Sequence, residues 1–252
     1  GPVKLLSVEK VSMHFNGFTA LSGIDIGVES GQIHALIGPN GAGKTVFFNL
    51  ISGVYRPTGG TVHFQGDRID GLPSHRVAAR GIGRTFQIVK PFASLTVLEN
   101  VLVARGITRY GTFRRLWGPW QAKSETRAAM ETLERVGLAE LADRKAGLLP
   151  LGDLRRLEIA RALVVGHQLI LLDESFSGLR HEEIAQLETL IRRIRDDGIT
   201  VLLIEHNMRV TMGLCDRIVV LDHGRKIAQG NPQAIQENDL VIEAYLGKGA
   251  TA

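Results

Sequence analysis

Cysteine is all but missing from this chain of 252 residues, with Cys215 standing alone. An internal disulfide and any multi-cysteine zinc site are therefore excluded. Long hydrophobic runs are missing too. The longest, such as Leu169 to Leu172 and Val201 to Ile204, fall far short of the ~20 residues needed to span a bilayer. No secretory signal is visible, so the chain is expected to be soluble and intracellular. Gly1-Pro2 has the look of a protease-cleavage scar. An excess of one charge is also lacking. The 30 Lys and Arg against 26 Asp and Glu leave +4, too little by itself to argue for nucleic acid even with an isoelectric point near 9.4. With 44% hydrophobic residues the chain is too apolar for disorder as its main state, and its length suits one or two domains. What it has in plenty is glycine, 29 residues, and their placement is informative.

The first third predicts strands and turns. Leu5 to Ser12, Gly23 to Val28 and Thr61 to Phe64 are short, partly alternating segments suited to antiparallel strands. Ile33 to Ile37 is continuously apolar and runs into a glycine-rich loop, as a buried parallel strand does. Thr45 to Ser52 has a helical apolar period, closed by Gly53 where a C-terminal glycine belongs. From about Thr96 to Leu163 the composition is helical, and Ser124 is expected to cap a helix carrying Met130, Leu133 and Val136. Thr108 to Trp120, rich in Gly or Pro, aromatics and arginine, predicts an irregular insertion. A packed surface loop is the simpler reading of it, a nucleic-acid contact the alternative. Then α/β character returns. Gln168 to Leu172 and Thr200 to Ile204 predict strands flanking an amphipathic helix over His181 to Asp196, with Ile184, Leu187, Ile191 and Ile194 inward. Ile218 to Leu221 and Lys226 to Gln229 predict a hairpin, and the tail from Asn231 is weakly helical.

Gly38-Pro39-Asn40-Gly41-Ala42-Gly43-Lys44-Thr45 fits the pattern G-x-x-x-x-G-K-[ST] between a strand and a helix. Glycines let backbone N–H groups turn around an anion, and the helix adds its positive N-terminal end. Lys44 is placed to reach the β and γ phosphates, and the Thr45 hydroxyl to meet Mg²⁺. Asp173-Glu174 follows the apolar run Leu169 to Leu172. Two acids after a strand can be a solvated turn, but beside a phosphate loop they suit metal binding through water (Asp173) and polarisation of an attacking water (Glu174). His206 ends the next apolar run. A strand-end histidine is often structural, yet parallel strand order would carry it to the ligand-binding edge of a doubly wound sheet.

With these motifs the chain resembles the nucleotide-binding subunits of ABC transporters over residues 5 to 247, and most of all the ATP-binding subunits of branched-chain (hydrophobic) amino acid importers. Arg84-Thr85-Phe86-Gln87, the insertion near Tyr110 to Trp120, Arg155 to Ala162 and Ala244-Tyr245-Leu246-Gly247 carry the likeness. It implies an α/β P-loop NTPase cassette over residues 3–252: a RecA-like parallel sheet with an N-terminal antiparallel β subdomain (3–90 and 167–230), an inserted helical subdomain (91–166) and a C-terminal tail (231–252). It further implies ATP and Mg²⁺ as ligands, Phe15 stacking on adenine, residues 38–45 and Val46 around the nucleotide, Gln87 on Mg²⁺ and the attacking water, and His206 sensing the γ-phosphate. Two such subunits sandwich ATP between one phosphate loop and the partner's signature segment. The implied partners are a second ATPase subunit, membrane permease subunits gripped near Gln87 to Ser94 and, indirectly, a solute-binding protein, at the cytoplasmic face of a prokaryotic membrane. No direct nucleic-acid contact is expected.

The sequence departs from the family in two places. The signature, usually LSGGQ, reads Leu149-Pro150-Leu151-Gly152-Asp153. Pro150 offers neither a hydroxyl nor an N–H to a phosphate, and Asp153 would repel one. The loop after the acids reads Ser175-Phe176-Ser177-Gly178-Leu179-Arg180, where Arg180 replaces the usual short acid or amide at the dimer interface. Ordinary ATP binding with slowed closure and turnover is the expectation. The alternatives are a regulatory subunit that binds ATP without useful turnover, and a soluble ABC ATPase acting on nucleic acid.

Overall fold

A computed structural model describes residues 4–86, 88, 92–110 and 119–246. The chain opens with two long strands, β1 (Lys4–Phe15) and β2 (Phe18–Glu29), followed by β3 (Ile33–Ile37), α1 (Lys44–Ile51), β4 (Gly59–Phe64), the short β5 (Asp67–Arg68), α2 (Ser74–Ala79) and β6 (Ile82–Arg84). Three helices come next, α3 (Val97–Tyr110), α4 (Pro119–Val136) and α5 (Leu151–Leu163). The last third holds β7 (Leu169–Asp173), α6 (His181–Asp196), β8 (Thr200–Ile204), α7 (Met208–Leu214), β9 (Arg217–Asp222), β10 (Arg225–Gly230), α8 (Pro232–Gln236) and α9 (Asp239–Leu246). These elements divide into two compact units, Gly1–Ser74 with Arg192–Ala252, and His75–Ile191.

The first unit holds an antiparallel sheet in the order β2-β1-β4-β5, with β1 and β2 joined in the register Val8↔Ile26. Beside it runs a parallel core. There β3 lies between β8 and β9, pairing Leu36 with Ile204 on one side and with Val219 on the other. Every residue of β3 and β8 is buried, which is why both read as unbroken apolar runs rather than alternating ones. In this register the C-terminal ends of β3 and β8 leave the sheet at one edge, where Gly38 and His206 follow them. β9 and β10 form the expected hairpin, turned by His223 (φ 47°) and Gly224 (φ 74°). Two consecutive left-handed residues are what a type I′ turn requires.

In the second unit β6 and β7 pair in parallel, Ile82 with Leu169 and Arg84 with Leu171. The residues after Arg84 and Leu172 therefore emerge together. Helices α3, α4 and α5 pack on one another around Val97, Val101, Ala129, Leu133, Val136, Leu157 and Ala160, all fully buried. Arg105 and Glu125 join α3 to α4 by an ion pair. The C-terminal end of α5 lies backbone-to-backbone on β6: a Cβ on Gly83 would stand 2.1 Å from the Ala162 carbonyl oxygen.

Two sequence expectations need correction. The insertion at Thr108 to Trp120 is helical at both ends, since α3 runs through Tyr110 and α4 starts at Pro119; residues 111–118 lie outside the described ones. Ser124 does not cap α4 but sits inside it. Pro119, the first described residue of α4, lies five residues before it.

Candidate functional site

The phosphate-loop residues lie where the sequence places them, between β3 and α1. The loop is wedged tightly: a Cβ on Gly38 would meet the Leu221 carbonyl oxygen at 2.1 Å. Its far end is held by the hairpin turn, because the Gly224 N–H donates to the Ala42 carbonyl at 3.0 Å. Gly43 precedes α1 in the left-handed region (φ 101°), no side chain caps the helix, and its first turn carries no acid. The positive N-terminal end of the helix thus faces no acidic side chain of its own first turn and suits an anion. Lys44 is buried, and its Nζ lies 2.6 Å from the Gly38 carbonyl oxygen. Thr45 is exposed at the loop mouth and Val46 half-buried behind it. Pro39 and Ala42 are buried in the loop, with Asn40 and Gly41 on its exposed side.

Phe15, at the tip of β1, packs edge-on against Tyr55, their ring centroids 5.4 Å apart. Tyr55 follows α1 and was not legible as a partner. His206 sits at the end of β8 with its ring more than half exposed, Nδ1 lying 3.7 Å from Oε1 of the buried Glu205. That oxygen also accepts the backbone N–H of His206 at 3.1 Å and of Asn207 at 3.4 Å. Glu205 thereby fixes the turn that presents the imidazole, and Asn207 caps α7 by accepting from the Val210 N–H.

Asp173 ends β7 and is set from β6. The Thr85 hydroxyl accepts its backbone N–H at 3.0 Å, and the Arg84 guanidinium lies 3.6 Å from its carboxylate. Burial pulls the Arg84 pKa down, and the Asp173 charge opposes that fall, so a buried cation is kept by its carboxylate. Glu174 adopts φ +50°, an unusual conformation for a non-glycine residue and of the kind found where a side chain is held for function. Ser175 and Phe176 behind it are buried.

The signature segment and the loop after Glu174 form one surface. Pro150 is the N-cap of α5, Leu149 before it is extended, and the Leu154 N–H donates to the Pro150 carbonyl at 2.9 Å, with no side-chain cap. Arg155 of α5 donates to the Ser177 carbonyl at 3.2 Å. A Cβ on Gly178 would meet Leu151, and one on Gly152 would meet Glu183. Arg180 folds back onto Glu183 as an ion pair. Pro150, Gly152, Asp153, Leu179 and Arg180 line one cavity of about 210 Å³. Gln87 and Val89 lie outside the described residues. Between them, the Ile88 N–H donates to Glu158 of α5 at 3.4 Å, and Arg161 of α5 lies over the Phe92 ring, 4.7 Å from its centroid. Burial raises the Glu158 pKa, with Arg155 and the Ile88 N–H drawing it back.

Sequence reasoning gave no role to Arg84, Thr85, Glu205 or Tyr55. Only strand register and the fold of the turns reveal their contacts.

The family model described as "ABC transporter" matches residues 21–177, and that described as "Branched-chain amino acid ATP-binding cassette transporter" matches residues 225–251. The chain is 41% identical to the high-affinity branched-chain amino acid transport ATP-binding protein BraF of Pseudomonas aeruginosa, over 97% of this chain and 98% of that one. It is 43% identical to the corresponding protein LivG of Escherichia coli, with the same coverage. Among solved structures it is similar to an ABC-transporter ATP-binding cassette in its ADP conformation, at a TM-score of 0.87 and 31% identity, over 97% of this chain and 99% of that one. With its strand–loop–helix anion cradle and paired strand-end acids, the chain belongs to the ABC transporter family, as one of its nucleotide-binding ATPase subunits.

Proposed function

We propose that this subunit binds Mg-ATP at residues 38–46 and hydrolyses it to drive uptake of a branched-chain amino acid, or a related small solute, through a separate permease. The observation that carries the nucleotide site is the loop itself. A buried Lys44 ammonium rests on a loop carbonyl beside a helix N-terminus with no side-chain cap, so an incoming phosphate finds both a cation and the positive end of a helix. The substrate class rests on BraF and LivG, the relatives whose names give branched-chain amino acid transport.

In this reading Phe15 stacks on adenine, Glu174 polarises the attacking water, and His206, steadied by Glu205, meets the γ-phosphate. Magnesium suits the donors on offer, a Thr45 hydroxyl, an Asp173 carboxylate and a Gln87 amide, which are all hard oxygens. Among the described residues no group of three or more His, Cys, Asp or Glu could hold a metal alone, so the ion's remaining ligands come from phosphate and water. When bound, it neutralises charge on the β and γ phosphates. The α/β core (3–90 and 167–230) carries this chemistry, the helical segment (91–166) carries the signature, and 231–252 forms the tail. A second ATPase subunit completes the nucleotide sandwich through residues 149–153 and 177–180. No helix among the described residues is long and apolar enough to cross a membrane. The exposed Phe86 and the half-buried Ile88 and Phe92 offer the permease an apolar grip at the cytoplasmic membrane face.

Lys44→Ala is expected to weaken binding of a fluorescent ATP analogue at least tenfold in a Mg²⁺ titration. Unchanged affinity would remove the loop from the nucleotide site. Co-purification with the neighbouring permease, followed by ATPase assays across candidate solutes, tests the substrate. Stimulation by leucine, isoleucine or valine is expected, and a response to none of them would overturn that part.

A further inference from the structure

Tyr55 stands in the turn between α1 and β4, and that turn is fastened at both ends. On the α1 side, the Asn49 carbonyl accepts the backbone N–H of Val54 at 2.9 Å and of Tyr55 at 3.1 Å. On the β1 side, the Ser12 carbonyl accepts the Thr58 N–H at 2.9 Å and the Thr58 hydroxyl at 3.0 Å. That hydroxyl in turn accepts the N–H of His14 at 3.1 Å, one residue before Phe15. Gly53 adopts φ +79°, and a Cβ there would meet the Leu72 carbonyl oxygen at 2.7 Å. The path of residues 53–58 is thus set by the backbone and Thr58, and loss of the Tyr55 ring leaves the turn in place.

The turn delivers that ring to Phe15, with centroids 5.4 Å apart and planes at 75°, an edge-to-face arrangement that aromatic pairs favour. Phe15 pairs with Phe18 across the tip of the β1–β2 hairpin, and both are exposed. A ring open to solvent keeps a freedom that stacking must remove, and ordering it only on binding costs affinity. Tyr55 supplies that order in advance, because a ring packed across a fixed neighbour cannot turn freely.

We propose that Tyr55 is a positioning residue for the nucleobase, holding the Phe15 ring ready to stack before the base arrives. The proposal deepens the reading of Phe15 as the adenine platform and rests on it. Tyr55 acts through Phe15 alone. Since α1 bears Lys44 and Thr45 at its start and Tyr55 follows its end, one helix serves the phosphates and the base.

The test measures binding of two probes to the full chain. One is a non-hydrolysable ATP analogue with Mg²⁺, the other magnesium tripolyphosphate, which has the phosphates and no base. Tyr55→Ala is expected to weaken the analogue about two- to tenfold, the range of one aromatic pair, and to leave tripolyphosphate affinity as in wild type. Tyr55→Phe, which keeps the ring, should bind the analogue like wild type. In a Phe15→Ala background, Tyr55→Ala should cost nothing further, because the two rings act as one unit. Equal weakening of both probes would overturn the proposal, since a disturbed turn would reach α1 and the phosphates as well. So would a Tyr55→Phe variant as weak as Tyr55→Ala, or losses that add in the double variant. If Phe15→Ala weakens the analogue and Tyr55→Ala does not, Phe15 keeps its reading and the proposal alone falls. If Phe15→Ala binds the analogue like wild type, the adenine platform is lost and the proposal with it.

Discussion

At the scale of single residues, the side chain with the clearest consequence for stability is one the chemistry does not use. His34, in β3, has no exposed surface, and its Nε2 lies 2.8 Å from Gln32 Oε1. Burial, then the nearby Arg217 charge, pushes its pKa from 6.5 down to about 4. A base depressed on folding is neutral in the native state, and the unfolded chain takes the proton first. Its contribution is therefore complete above pH 6.5 and is lost as pH falls from there through 4. A depression of this size corresponds to about 3 kcal/mol. Urea unfolding between pH 7.5 and 4 should show His34→Leu losing about that much less stability than wild type over the interval. Equal losses would show that His34 titrates normally. At this scale residue type and spacing were enough to single out Lys44, Asp173 and Glu174 as candidates, and the structure sets them at the start of α1, the end of β7 and the residue after it. The sequence was not legible for Arg84 and Glu205. Arg84 meets Asp173 because β6 and β7 pair in one register, and Glu205 works by folding its carboxylate onto the next two backbone N–H groups. Neither contact leaves a mark in the local sequence.

At the scale of elements, legibility follows periodicity. The predicted bounds of β3, α6 and β8 coincide with those observed, because full burial or an amphipathic stripe is written into each stretch. The start of α4 was misread because Ser124 was taken as a cap where the chain is already helical at Pro119. Close approach was hidden as well. Gly83 and Gly166 let the end of α5 lie on β6: a Cβ on Gly83 would stand 2.1 Å from the Ala162 oxygen, and one on Gly166 2.4 Å from the Gly83 nitrogen. The obstacle in both cases is backbone, which cannot swing aside as a side chain can. Gly83→Ala is therefore expected to destabilise the chain by about 2–3 kcal/mol, the upper range for overpacking. It should also displace Arg84, next along β6, from Asp173, so ATP turnover should fall further than nucleotide affinity. Denaturant midpoints and steady-state kinetics measure the two effects. A neutral midpoint would mean that α5 and β6 separate easily.

At the scale of the whole molecule, the two departures from the family pattern fall on one surface. Pro150 caps α5 through its carbonyl alone, and Arg180, tied to Glu183, lines the same cavity. If this surface faces the nucleotide of a partner subunit, the missing hydroxyl weakens the sandwich, and that can be measured once hydrolysis is stopped. If Glu174 is the base that polarises the attacking water, as proposed, Glu174→Gln keeps the side-chain shape but costs about 10²- to 10⁴-fold in turnover, so bound ATP persists and the dimer with it. Pro150→Ser, added to that background, restores a donor for a charged oxygen. A hydrogen bond of that kind contributes about 1.5–3 kcal/mol, or roughly one to two decades in dimer dissociation constant. Sedimentation velocity at saturating Mg-ATP should therefore find the double variant dimeric at concentrations where Glu174→Gln alone is largely monomeric. The same serine gives α5 the side-chain cap it lacks, worth ~1 kcal/mol, and this appears separately as a higher melting temperature without nucleotide. A raised melting temperature with an unchanged dimer constant would confine Pro150 to capping its own helix. A tighter dimer would mean that the wild-type signature holds ATP-driven closure in check until another surface, such as the permease, supplies the missing energy.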